Sequence, residues 1–316
     1  MTSPAPPDEG AARPSGTGAR GTPPGPPRVR RPAPLRIRGP SAARRINNRA
    51  VIALCHVAAA LVVLPLLLIV WHLIEKGLGG LSLAFFTHLP KPVGEPGGGV
   101  ANAIVGTLVL AGLAALIAVP VGVGAGLYLA EYGDGRLGAL VRYTADVLSG
   151  VPSIVVGVAA YGLVVVPMGR FSALAGGVAL GLLMLPTIVR STEEVVRLVP
   201  RSYREAALGL GAPRWRMIHS VVLPAASGGV VTACLLGLAR AAGETAPLLF
   251  TALGSRFWTL ALDRPIASLP VYIYDYARAP YDDWNRQAWA AALVLLLLVT
   301  ILSALVRLAT RRMVRV

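Results

Sequence analysis

IVGTLVLAGLAALIAVPVGVGAGLYL, residues 104–129, runs for 26 residues without a charged side chain. A hydrocarbon layer about 30 Å thick is crossed by roughly 20 helical residues, so this run reads as a membrane span and decides the fold. Working outward, further apolar runs cover about 51–74, 148–166, 173–189, 221–253 and 289–308. The expected class is an all-α membrane protein with six transmembrane helices. Composition agrees: 14% of residues are charged and the mean hydropathy is +0.64, whereas soluble domains carry about 25% charged residues.

The formal charge of +15 invites a nucleic-acid reading, but the basic residues flank apolar runs and form no stripe interleaved with aromatics, as a nucleic-acid surface requires. They report orientation instead. With the amino terminus in the cytoplasm, 22 basic residues fall on the cytoplasmic side and seven outside, and Arg240 lies within a span. Short positive loops stay inside, so both termini are expected in the cytoplasm of a bacterial cell, with the chain multi-pass in its inner membrane. Cys55 and Cys234 lie in apolar runs and read as small packing groups. The four scattered histidines have no metal-ligand spacing, and no cofactor is expected.

Residues 1–48 are rich in Pro, Gly, Ala and Arg and cannot bury enough surface to order themselves; they read as a disordered basic tail, with anionic lipid headgroups as one conceivable contact. The lead is too long, and the first apolar run too wide, for a cleaved signal. Residues 49–316 form the membrane domain. Small residues recur in two spans, Gly122, Gly124 and Gly126 in one and Gly176, Gly177 and Gly181 in the other. They suit close helix packing or the lining of a pore.

Between the fourth and fifth runs lies a polar loop, 190–220. Ser202 and Glu205 have capping-box spacing, which predicts a helix from Tyr203. Gly211 suits the left-handed residue after a helix end, and Pro213 the first turn of a second helix. Ala206 and Ala207 give the first helix a narrow face that could enter a groove, although Glu205 could equally do no more than cap. The longer pattern, Glu205-Ala206-Ala207, then Gly211, then Val221 and Leu223-Pro224, resembles the EAA signature of ABC-importer permeases, with Val221 where isoleucine is usual. The resemblance implies a coupling helix docked in a separate ATPase, with Glu205, Ala206, Ala207 and Gly211 as the coupling residues. The chain has no GxxxxGK loop, so it is expected to be no enzyme and to take its energy from a partner.

Arg240 and Glu244 interrupt the fifth run. A mid-membrane charge costs about 2.5–3.5 kcal/mol on insertion scales. Their i, i+4 spacing would place them on one helix face, either neutralising each other or lining a polar pathway. A planar guanidinium suits an oxyanion solute; Thr245 adds a hydroxyl and Pro247 a point of bending. Arg240-Ala241-Ala242-Gly243-Glu244-Thr245-Ala246-Pro247-Leu248-Leu249, Pro152-Ser153-Ile154-Val155-Val156-Gly157, Leu185-Pro186-Thr187-Ile188-Val189-Arg190-Ser191-Thr192-Glu193-Glu194 and LYLAEYG at 127–133 resemble the PstA-type permeases of phosphate-specific ABC importers. That resemblance implies a heterodimer with a PstC-type permease, two ATP-binding subunits below and an extracytoplasmic phosphate-binding protein above. Sulfate or molybdate permeases, an ion-driven secondary transporter and a membrane scaffold are the rival readings.

Overall fold

Every apolar run becomes helix, but the helices outrun or break the runs that announced them. The computed structural model describes residues 42–311 apart from 93, 94 and 96. Of the proposed tail, residues 1–41 therefore lie outside the described residues, while 42–48 already belong to the first helix, α1 (Ala42–Leu78). By contacts the chain divides into two units, 1–60 and 61–316. The described part of the first is helical, and its side chains from 46 to 60, Cys55 among them, are exposed.

The second unit continues through α2 (Leu83–Thr87), α3 (Ala101–Tyr132), α4 (Arg136–Gly150), α5 (Ser153–Ala160) and, after a π-turn, α6 (Val166–Met168). Then come α7 (Ala173–Arg197), α8 (Arg201–Gly209), α9 (Arg214–Met217) and, after a second π-turn, α10 (Leu223–Ala242). Last are α11 (Ala246–Thr251), α12 (Leu269–Ala277) and α13 (Asp282–Arg311). Among the described residues five helical stretches are long and apolar enough to span a membrane, and a sixth is formed if the pair 136–150 and 153–168, bent by 107°, counts as one.

That bend corrects the expected span at 148–166, which begins inside α4. Pro152 disfavours helical geometry in the residue before it, and Val151 is extended at φ −72°, ψ 129°. The fifth span is corrected too. Instead of running through to 253, α10 ends at Ala242, Gly243 to Thr245 form a break, and Pro247 sits in the first turn of α11, where its missing N–H costs nothing. The segment 254–286 also contains a helix that composition did not announce, α12, with Pro270 in its first turn.

The bundle is built on α3 against α7. In lipid, helices gain little from apolar burial and associate through close contact. A Cβ on Gly122 would lie 2.7 Å from Ile188, and one on Gly126 would lie 2.6 Å from Thr192. Gly176 and Gly177 meet Leu110 and Leu113 in the same way, whereas Gly124 faces open space. The small residues thus divide: most are seats for a neighbouring helix, and Gly124 is not. At the far end of the bundle Tyr272, Tyr276 and Trp284 stack, with centroids 3.9 and 4.2 Å apart, above Phe85 and Val100.

Candidate functional site

The knuckle between the fourth and fifth apolar runs is α8, a tight turn and α9. Ser202 does not cap it. Pro200 occupies the N-cap position, and its carbonyl accepts from the Tyr203 N–H at 3.2 Å, so the helix opens two residues before the expected start and the capping box is not formed. The exit matches expectation. Gly211 has φ +82°, Gly211 N–H donates to Leu208 C=O at 2.9 Å, and Ala212 N–H donates to Ala207 C=O at 3.1 Å. This is the Schellman pairing, which satisfies carbonyls at the helix end. Pro213 lies one position outside α9 and accepts from Arg216 and Met217.

Burial divides the four residues expected to couple. Glu205 and Ala206 are exposed. Ala207 is buried in a cluster with Val196, Val199, Met217 and Val222. Of the expected groove-entering face, Ala206 is left outward, while Ala207 seats the knuckle on its own bundle. The outward apolar groups are Tyr203, Leu208, Leu210 and Trp215, with Leu210 90% exposed.

Two arginines fasten this end of the molecule. Arg204 of α8 reaches Glu131 at the end of α3, with Nη2 to Oε1 at 2.7 Å and Nε to Oε1 at 2.9 Å, and donates to the carbonyls of Val196 and Val199 at the end of α7. Arg142 of α4 donates to Leu129 and Gly133 carbonyls at the end of α3, at 3.0 and 2.9 Å, and to Glu193 of α7 at 2.7 Å. Glu193 also receives Arg190 at 3.0 Å and Arg197 at 2.8 Å, although its side chain is only 2% exposed, and Arg190 bonds Asp146 at 3.0 Å. Cations at helix C-termini meet the negative end of the helix dipole, and a buried carboxylate needs such partners to remain charged. The sequence words quoted for the family contain Glu131, Arg190 and Glu193, but none of these pairings was assigned a role there. The available signal was an acidic side chain in or beside a span of an arginine-rich chain.

The break after α10 is different. Arg240 lies in the last turn of that helix and is exposed, while Glu244 and Thr245 are half-buried. The expected i, i+4 pair does not form, because helical geometry stops at Ala242 before it can bring the two side chains together. Among the described residues neither Arg240 nor Glu244 has a hydrogen-bonding or ionic side-chain partner, and Thr245 makes no capping bond. Ala225, Gly228, Thr232, Leu236, Arg240 and Gly243 are exposed at spacings of three and four, one stripe along α10. The opposite stripe, with Val222, Ala226, Val230, Ala233 and Ala241, is buried. The break is held from behind by α5: a Cβ on Gly157 would lie 2.6 Å from Pro247 Cα. Two of the quoted sequence words, 152–157 and 240–249, thus meet backbone to backbone.

A family model described as the binding-protein-dependent transport system inner membrane component matches residues 122–315. The chain is 45% identical over 265 residues to the phosphate transport system permease protein PstA of Yersinia pestis, covering 84% of this chain and 90% of that protein. It is 39% identical over 278 residues to the permease protein PstA 1 of Mycobacterium tuberculosis H37Rv, covering 85% and 90%. Among solved structures, a chain of the inward-facing MetNI methionine ABC transporter shares the fold, with a TM-score of 0.55 and 22% identity over 68% of this chain and 94% of that one. The chain therefore belongs to the inner-membrane components of binding-protein-dependent transport systems, among the PstA permease proteins of phosphate transport systems.

Proposed function

We propose that this chain is the transmembrane permease subunit of an ATP-driven inorganic phosphate importer, forming half of the translocation pathway beside a PstC-type permease. The observation that carries the reading, together with the family, is Arg240: a guanidinium with no partner among the described residues, exposed at a helix break on a stripe of mostly small residues that also carries Leu236. Facing hydrocarbon it would cost about 2.5–3.5 kcal/mol. Facing a polar pathway between two permease subunits, it offers a planar fork to an oxyanion. Thr245 supplies a neutral hydroxyl beside it, and Glu244 limits how tightly an anion is held.

Coupling runs through the knuckle. An ATPase pressing on Leu210 and Trp215 moves α8, and Arg204 carries that displacement to the ends of α3 and α7. Two ATP-binding subunits, one under each permease half, and an extracytoplasmic phosphate-binding protein complete the assembly. Both termini lie in the cytoplasm on the arginine count, which places the knuckle there and the 254–286 segment outside.

The test is uptake of radiolabelled phosphate into vesicles holding the complete importer, with sulfate as competitor. Phosphate uptake that excess sulfate leaves standing, and that Arg240→Gln abolishes while the complex still assembles, is the expected result. Uptake of sulfate alone would replace phosphate as the substrate, and uptake without the ATPase subunits would replace the importer reading with a secondary transporter.

A further inference from the structure

A cavity of about 220 Å³ lies at the end of the bundle opposite the knuckle, lined among others by Arg256, Ser268, Tyr272, Asp275 and Tyr276. We propose that it is a second binding site, for a small oxyanion that keeps an acidic hydrogen, inorganic phosphate in the first instance; the ligand class rests on the phosphate reading above.

Four observations carry it. First, the wall holds polar groups with nothing to bond. Ser268 is 2% exposed and occupies the N-cap position of α12, yet its hydroxyl makes no capping bond: the second helical position is Pro270, which has no N–H to donate, and the Leu269 N–H goes to Thr107 Oγ1 at 2.8 Å. Among the described residues Ser268 Oγ and Tyr276 Oη are both buried without a hydrogen-bond partner, and a buried polar group left unmet is costly. A ligand oxygen would meet them.

Second, the cavity carries one cation and one anion that do not satisfy each other. Arg256 lies over the Trp284 ring at 5.6 Å, and neither it nor Asp275 forms an ion pair among the described residues. Burial pushes the Asp275 carboxyl up, against the pull of Arg256 and Arg278. A guanidinium donates to ionised oxygens and a carboxylate accepts from an acidic hydroxyl. Phosphate at neutral pH brings both; sulfate brings no hydrogen and meets the carboxylate as a like charge.

Third, the size fits. A cavity of about 220 Å³ exceeds what a single bound water needs and leaves room for one tetrahedral oxyanion with its remaining hydration. Fourth, the wall is conformationally special. Leu253 has φ +61° and Gly254 φ +91°, and a non-glycine residue in that region stores backbone strain of a kind often found at ligand clamps. The same wall is joined to the Arg240 break by α11 alone, six residues or about 9 Å of helix. An anion released here lies one short helix along the chain from the pathway arginine.

The experiment measures equilibrium binding of radiolabelled phosphate to the complete importer in nanodiscs, without binding protein or ATP, in an Arg240→Gln background so that the pathway arginine does not contribute. Saturable phosphate binding is expected, at least tenfold weakened by adding Arg256→Gln and about fivefold by Ser268→Ala, a change small enough to leave folding intact. Sulfate should compete at least tenfold less well than phosphate, and Asp275→Asn should bring the two within about threefold. No saturable binding, binding indifferent to both Arg256→Gln and Ser268→Ala, or equal competition by sulfate before Asp275 is changed would overturn the proposal. If the wild-type importer takes up phosphate in the vesicle assay while any of these occurs, the second site fails and the transport reading stands.

Discussion

The knuckle end of the bundle and the break after α10 contain the same kinds of side chain and use them in opposite ways. At the knuckle end Glu193 gathers Arg142, Arg190 and Arg197, and Arg204 closes on Glu131 and two helix-end carbonyls. At the break Arg240 and Glu244 stand four residues apart and bond to nothing among the described residues. Charges that hold the molecule together are spent internally. Charges left unspent at a point where burial is costly mark where something from outside the chain must arrive.

The largest effect expected from breaking this contrast is at Glu193. Glu193→Ala takes the shared carboxylate from Arg142, Arg190 and Arg197, whose side chains are 24%, 36% and 51% exposed, and losing hydrogen bonds to a charged group costs about 1.5–3 kcal/mol. The complex should fail to accumulate or should melt well below wild type in detergent; unchanged thermal stability would show the lattice to be ornamental. Next is the link from knuckle to span. Glu131→Ala leaves Arg204 bonded only to the carbonyls of Val196 and Val199, so ATP hydrolysis should persist while phosphate moved per ATP falls severalfold. Equal loss of both activities would assign Glu131 to folding rather than transmission.

The knuckle itself separates seat from docking surface. Ala207→Asp puts a charge into the cluster around Val196 and Met217 and should destabilise the isolated permease by about 1–3 kcal/mol. Leu210→Glu should leave that stability untouched and weaken ATPase binding. The reverse pattern would return Ala207 to the partner's groove. Smallest of all is Arg170 with Asp263, an ion pair of 3.1 Å whose partners are 56% and 46% exposed; Arg170→Ala should shift thermal stability by the 1 kcal/mol or less typical of exposed pairs.

Much of this architecture was legible before any coordinates, and the misses share a cause. Apolar runs fixed that spans exist and roughly where, because lipid selects length and apolarity. They said nothing about continuity. Pro247 was read as a point of bending, yet the run 221–253 read as one span because its apolarity continues past the break. The 107° turn at Pro152 was hidden in the same way, since α4 is amphipathic and merges into the next apolar run. Arg240 was found by its cost in lipid, a property of one residue. The pairings of Arg142 with Glu193 and Arg204 with Glu131 join positions 51 and 73 residues apart, and no local pattern encodes them. The cavity around Ser268 was illegible for that reason too: it is assembled from the start of α3, the 253–268 segment and α12.

The central claim is that Arg240 is left unpaired for a solute. Uptake and ATP hydrolysis measured on the same vesicles, wild type beside Arg240→Gln, test it most directly. Phosphate uptake should fall at least a hundredfold, with the complex assembled and hydrolysis by its ATPase still measurable. Uptake within a factor of two of wild type would contradict the account and make that arginine a passenger.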